Sequence, residues 1–199
     1  GHTPQTLRNL ANIMASHEDL LTKALKLDIA RVSRYCRSVN RVFLSRVNQR
    51  KPKTMSELAD IWYNTQNASY GRDQHYNESR YHMLNLHATF TKGTVEFRLF
   101  QFDAPTAERK GGIHAGQLKS YIQLCLALSQ MAKEIETVEN YLRTHFGYSS
   151  CYFRFPQGAY SESALDLVNN AGYMSVFWSS AYADWDTNNQ KGKAYAYET

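Results

Sequence analysis

Apolar residues recur at helical spacing through the first third of the chain. Leu7, Leu10, Ala11, Met14, Leu21 and Leu25 fall on one stripe. Thr3-Pro4 supplies an N-cap and a first-turn proline, so a helix is predicted from the start. Residues 29–49 continue as helix or broken helix, with Val32, Cys36, Val39, Phe43 and Val47 in register. Pro52 ends that element. Thr54 or Ser56 can cap the next, in which Leu58, Ile61 and Trp62 pack. The stretch QNASYGRDQHYNES reads as a polar loop.

The period changes near residue 82. Leu84, Leu86, Ala88 and Phe90 alternate with Asn85, His87 and Thr89; beyond Lys92-Gly93, Val95, Phe97 and Leu99 alternate with Glu96, Arg98 and Phe100. Alternation of this kind predicts strands. A two-residue Lys92-Gly93 loop makes them a hairpin, with Thr89 opposite Glu96 and His87 opposite Arg98. Asn85, His87, Glu96 and Arg98 then share one polar face, and a one-residue slip would bury charge. After a loop ending at Gly111-Gly112, the helical period returns in Leu118, Tyr121, Ile122, Cys125, Leu128 and Ala132 and runs on to Gly147. The remainder reads β-α-β: a strand in CYFRF, a helix capped by Ser161 and stopped by Gly172, and a strand in MSVFWSSAY.

At 199 residues and 43% apolar, the chain can bury one large core or two small ones. No run of 18 apolar residues predicts a membrane span. No signal-peptide core stands near the first residue, so a cytoplasmic location is expected; the start lacks an initiator Met, so upstream sequence is expected too. Cys36, Cys125 and Cys151 lie far apart without CxxC spacing, which excludes a zinc knuckle or disulfide framework and fits a reducing compartment. The net charge of +5 divides unevenly: 19 basic against 10 acidic residues over 1–133 (+9), and 4 against 8 over 134–199 (−4). The basic part carries no RNP, zinc-finger or basic-zipper pattern, so a nucleotide phosphate or a solvated face matches it at least as well as nucleic acid.

The polar face of the hairpin holds the chemistry. Glu96, Asn85 and His87 form an oxygen and nitrogen set suited to a hard divalent ion, and Arg98 suits phosphate or carboxylate. Phe100 shares the face, and Arg80, Tyr81 and His82 flank it.

The segments RYHMLNLHATFTKGTVEFRLF and HAGQLKSYIQLCLAL resemble the amidoligase family, relatives of glutamine synthetase and glutamate–cysteine ligase, over about residues 2–133. The resemblance implies an antiparallel sheet as active face, ATP and Mg²⁺ as cofactors, and ligation of a carboxylate to a small amino acid or amine through an acyl phosphate. On it, Glu96 is a metal ligand and Arg98 binds phosphate or substrate carboxylate. Arg80 is a second catalytic arginine, and Asn85 lines the cofactor site; face geometry adds His87. The family's upstream Glu-bearing strand and His-x-His segment do not occur in this chain, so weak or no ligase activity is expected.

A second resemblance covers about 134–198, from YFRFPQGAYSESALDLVNN through WSSAYADWDTNNQ, to NodB-type polysaccharide deacetylases of the spore-cortex muramic-acid kind. It implies a bacterial source, a peptidoglycan or other glycan substrate, and Zn²⁺ or another divalent metal. Arg154 and Pro156 match that family's third motif; Trp178, Asp184 and Trp185 match the fourth, which lines the substrate groove. Its Asp-Asp and His-x-x-x-His motifs are absent, and Ala181 stands where many members carry Asp. The expected fold is therefore α+β: helices packed on an antiparallel sheet in an incomplete glutamine synthetase-like domain (1–133), then a β-α-β fragment of a deacetylase barrel (134–199). The two meet near Gln130–Glu134 inside one helical pattern, which reads as a chimera with exposed sheet edges. Three functions follow: an amide-forming ligase, a metal-dependent deacetylase, or a non-catalytic module holding an anion or glycan.

Overall fold

The computed structural model describes residues 1–66, 70–102, 112, 114–148, 152–154, 162–170 and 173–177. Seven α-helices and four short strands occur among them. They are α1 (Pro4–Ala24), α2 (Ile29–Arg34), α3 (Arg41–Arg50), α4 (Met55–Asn64), β1 (Leu84–Asn85), α5 (His87–Lys92), β2 (Glu96–Phe97), α6 (Ala115–Phe146), β3 (Tyr152–Phe153), α7 (Glu162–Asn170) and β4 (Met174–Ser175). A 3₁₀ turn at Glu78–Arg80 precedes β1. The mixed helix-and-sheet class expected from the sequence holds.

The helix starts follow the capping residues. Thr3 Oγ1 accepts from the Thr6 amide (3.1 Å), and Thr6 Oγ1 accepts in return from the Thr3 amide (2.7 Å). Of the two candidates for α4, Thr54 is the cap: it accepts from Glu57 N (3.2 Å), and the Glu57 carboxylate accepts from the Thr54 amide. Replacing this exposed cap, Thr54→Ala, is expected to cost about 1 kcal/mol in urea denaturation. An unchanged midpoint would mean α4 is held by packing alone.

α1 is the central helix. Its predicted stripe is buried from Leu7 to Leu21, with Leu25 half-buried at the C-cap, but so is everything from Thr6 to Ala15, including Arg8, Asn9 and Asn12. The two asparagines are accommodated individually, whereas Arg8 Nε and Nη1 find no partner among the described residues. Asn12 and Asn48 exchange amide hydrogen bonds at 2.9 Å in both directions, and Asn9 donates to the Ala132 carbonyl at 3.2 Å. Around α1 lie α3, α6 and α7. Cys36, Phe43, Val47, Leu58 and Trp62 complete the core with Met83, Leu84, Leu86 and Leu99. Trp62 packs edge-on against Phe43 (4.9 Å) and donates to Ser79 Oγ (3.0 Å).

α6 is one unbroken helix of 32 residues that ends on Gly147 in the left-handed conformation (φ 61°). Tyr121, Leu128 and Ala132 are buried as the period requires, whereas Leu118 and Ile122 on the same stripe are exposed. In that half of α6 the Tyr121 ring is covered by Phe100, which stacks on it at 4.4 Å. β3 and β4 pair in parallel, Tyr152 with Met174 and Phe153 with Ser175, with α7 as the crossover. This is the β-α-β order that the sequence implies. Among the described residues each sheet has two strands, so every strand has an open edge.

One buried charge holds the loop before α3. Glu18 accepts from the Val39 amide and pairs with the exposed Arg41 at 3.3 Å. Burial pushes its carboxyl above the ordinary range, against the opposing pull of Val39 N–H, Arg41 and Ser38. A raised folded-state pKa means a contribution that is full at low pH and lost as pH rises through that raised value. Glu18→Gln is therefore expected to flatten the fall of melting temperature above about pH 4.5, the ordinary carboxyl value. Parallel melting profiles for the two proteins would refute the assignment.

A carboxylate–arginine–tyrosine surface as candidate functional site

β1 and β2 form the predicted antiparallel pair, with a different connection and register. Leu84 faces Phe97, and Asn85 faces Glu96. Thr89 therefore does not sit opposite Glu96, and His87 does not sit opposite Arg98. The intervening residues form α5 instead of strand. Asn85 Oδ1 accepts from Ala88 N (3.3 Å) at its start, Thr91 Oγ1 donates to the His87 carbonyl (2.8 Å), and Gly93 closes it at φ 72°. An Asn before the turn and a Lys-Gly after it are helix signals as well as hairpin signals. The register moves by an even number of residues, so Asn85 and Glu96 still share a face.

That face is tightly bonded. Asn85 Nδ2 donates to Glu96 Oε2 and Arg98 Nη1 donates to Glu96 Oε1, each at 2.7 Å. The Arg98 side chain is 17% exposed and that of Glu96 is 39% exposed. Arg98 Nε also reaches the Tyr35 carbonyl at 3.4 Å, and its guanidinium lies 5.4 Å from the centre of the Tyr81 ring. Arg80 donates to the His75 carbonyl (2.9 Å) and lies 5.8 Å from the rings of both Tyr81 and Tyr76.

Backbone bonds bring a third segment alongside. Arg37 N donates to Tyr81 O (3.0 Å), Met83 N to Arg37 O (2.8 Å) and Arg98 N to Met83 O (2.8 Å). The segment 31–37 thus adds Arg31, Arg34, Tyr35 and Arg37 to the surface. Sequence reasoning missed them. The run RVSRYCR is dense in arginine, but nothing in its helical period shows that it lies beside residues 81–83.

His87 leaves the polar face. It is buried, with Nδ1 2.7 Å from the Tyr63 hydroxyl and no hydrogen-bond partner for Nε2 among the described residues. Burial lowers its pKa. His82, wedged between the Ser38 carbonyl and Gln66, is lowered to about 4, again chiefly by burial. Both rings are neutral at neutral pH, so the positive charge of this surface comes from arginine.

The Mg²⁺ implied by the family resemblance can be compared with the donors present. Glu96 is the carboxylate at the centre, both its oxygens are engaged, and Asn85 turns its NH₂ rather than its oxygen toward it. Among the described residues, no three His, Cys, Asp or Glu side chains converge as a metal site. Mg²⁺ prefers six oxygens in near-octahedral array, so this donor set does not fit a resident divalent ion.

Of the deacetylase-like residues, Arg154 is described, and it lies apart from this surface. Arg154 follows β3 and lines a cleft of about 470 Å³ between α1, α6 and the β-α-β unit, together with Asn9, Glu139, Phe153 and Tyr173. Tyr173 donates to Glu139 at 3.3 Å, and burial with that carboxylate pushes the phenol up to about 12. Pro156, Trp178, Asp184 and Trp185 lie outside the described residues.

Comparison with known proteins now decides between relationships. A family model described as "Putative amidoligase enzyme" matches residues 1–129. The chain belongs to the amidoligase family. A polysaccharide deacetylase model matches residues 112–176, so the two matches overlap on 112–129, a stretch that enters helix α6 at Ala115. The peptidoglycan-N-acetylmuramic acid deacetylase PdaA of Bacillus subtilis is 41% identical over 70 residues, 35% of this chain and 27% of the relative. An uncharacterized 30.6 kDa protein of Geobacillus stearothermophilus is 36% identical over 74 residues, 37% of this chain and 28% of the relative. The chain thus spans little more than a quarter of the length of the curated relatives it matches. No solved structure matches. No helix among the described residues is long and apolar enough to cross a membrane.

Proposed function

We propose that this amidoligase-family chain derives from an ATP-dependent ligase that joins a carboxylate to an amine, with the Glu96–Asn85–Arg98 face as its working surface. The observation that carries this is the cross-strand pairing of Asn85 with Glu96 and the Glu96–Arg98 contact, which gather three polar side chains on one side of a buried pair. In the reaction, the substrate carboxylate oxygen attacks the terminal phosphorus of ATP. ADP leaves with the electrons of the broken P–O bond, and an acyl phosphate forms. The amine nitrogen then attacks the acyl carbon; phosphate departs with the former carboxylate oxygen, and the amine gives up one proton.

Arg98 and Arg80 meet the negative charge of the phosphates. Asn85 holds the Glu96 carboxylate, and Glu96 orients Arg98, which makes both positioning residues. His87 supports the face from behind through Tyr63. Mg²⁺ enters with the nucleotide phosphates, since the side chains here do not form a site for it. The test is ADP release with Mg²⁺-ATP and a panel of carboxylates and amines. Turnover that needs both partners supports the reading; turnover indifferent to both overturns it.

A second reading has its own support in the 41% identity of a 70-residue stretch to PdaA. On it, residues 134–199 are a piece of a peptidoglycan deacetylase barrel, and Arg154 and Pro156 keep the places of that family's third motif. Residues 1–133 are then a partial glutamine synthetase-like domain, and the junction within α6 makes the chain a chimera. Acetate release from N-acetylated peptidoglycan tests this; its absence with Zn²⁺ supplied would leave α7 as a structural element packed on α1.

A further inference from the structure

The arginines around Tyr35 and Tyr81 outnumber what the Glu96 face can use. Arg31 donates to the carbonyls of Arg98 and Phe100, both at 2.9 Å. Arg37 donates to those of Tyr81 (3.3 Å) and Glu78 (3.1 Å), and Arg80 to that of His75. Carbonyls fix a guanidinium but do not neutralise it. Arg34 is exposed and lies 5.4 Å over the Tyr35 ring, which itself meets Tyr81 edge-on at 6.1 Å. Among these five arginines, the ion pair the described residues show is Arg98 with Glu96. The acidic side chains on the same elements are Asp28, which caps α2, Glu78 and Glu96.

Several guanidinium groups along one edge suit a partner with several anionic groups. Arg37 pairs with the 81–83 segment on one side and Arg98 with it on the other. Arg98 Nε also reaches the Tyr35 carbonyl at 3.4 Å, so the 34–37 segment and Arg98 flank one short run of backbone, along which a chain of carboxylates can meet several guanidinium groups. The surface also displays the anion geometry it accepts, since Glu96 bridges a guanidinium and a carboxamide at 2.7 Å each.

We infer that the Arg34–Tyr35–Arg37 edge extends the candidate site into a binding surface for an acidic peptide, whose successive carboxylates lie over Arg98, Arg80 and the 34–37 segment. As a statement of substrate class it rests on the ligase reading; as a binding surface it stands by itself and is tested without ATP. Arg34 is the useful variant, because its described contact is with an exposed ring.

The experiment is calorimetric titration of the full chain with Glu-Glu-Glu, free glutamate, Lys-Lys-Lys and tripolyphosphate, at low and at physiological salt. The tripeptide is expected to bind more tightly than free glutamate, to weaken as salt rises, and to lose about three-fold in affinity with Arg34→Gln. Free glutamate should be indifferent to that change, and Lys-Lys-Lys should not bind. Arg37→Gln should act in the same direction, with circular dichroism confirming that it folds. No binding of the tripeptide, equal affinity in the folded Arg34→Gln protein, or tighter binding of tripolyphosphate with the same Arg34 dependence would each overturn the proposal. Acidic-peptide binding without ADP release would uphold the surface and sink the ligase reading; the reverse pattern would do the opposite.

Discussion

Trp62→Ala is expected to destabilise the chain by about 3–5 kcal/mol, the range for deleting a fully buried aromatic ring. Trp62 is 1% exposed. Its ring closes the space between Phe43 and His82, at 4.9 and 5.8 Å, and its N–H holds Ser79 in the turn that leads into β1. Removing it leaves a cavity, an unpartnered Ser79 hydroxyl and a loosened approach to the polar face. Trp62→Phe keeps a ring but loses the hydrogen bond, and should cost less. Urea denaturation separates the cases: a loss under about 1 kcal/mol for Trp62→Ala would show that this core does not carry the fold. A total stability of 5–15 kcal/mol is usual for a domain, so the full loss is a large part of it.

The second large effect falls on activity. Arg98→Ala is expected to lower ADP release by about 100-fold, the usual result of removing one donor aimed at developing charge. Glu96→Gln keeps a polar group beside Arg98 and should fall less. It removes the charge that fixes the guanidinium, so its effect should weigh more on turnover than on the Michaelis constant for ATP. Arg98→Lys preserves charge but not the planar fork that spans Glu96 and the Tyr35 carbonyl, and should rescue only part of the loss. Equal activity in Arg98→Ala and the parent would remove this face from the mechanism.

Much of this was legible from residues alone, for identifiable reasons. Thr3-Pro4 and Thr54-x-x-Glu57 are local capping signals, and the caps lie where they predict. The Asn85/Glu96 face survives a wrong register because the error is even. The hairpin connection was misread because HATFTKG alternates like a strand while carrying helix punctuation at both ends, and burial of His87 and Ala88 favours the helix. The burial of Arg8, Asn9 and Asn12 is not visible in the sequence, since it depends on α3, α6 and α7 arriving from far along the chain, Asn48 against Asn12 and Ala132 against Asn9. The partners of Arg98 outside its own hairpin were hidden for the same reason. Tyr35 and Arg37 reach it through a parallel bridge between Arg37 and His82, a pairing that no local pattern encodes. Family resemblance was legible in both segments because the motifs are contiguous.

The chemistry proposed for this chain is the activation of a carboxylate by ATP, and oxygen-18 tests it atom by atom. The carboxylate substrate is labelled on both oxygens, turnover is run with Mg²⁺-ATP and an amine, and the released phosphate is weighed by mass spectrometry. One labelled oxygen in each phosphate is the expected result, because the attacking carboxylate oxygen stays on phosphorus when the amide forms. Phosphate released without label would mean that water, not a carboxylate, attacks ATP, and would contradict the ligase assignment of the Glu96–Arg98 face.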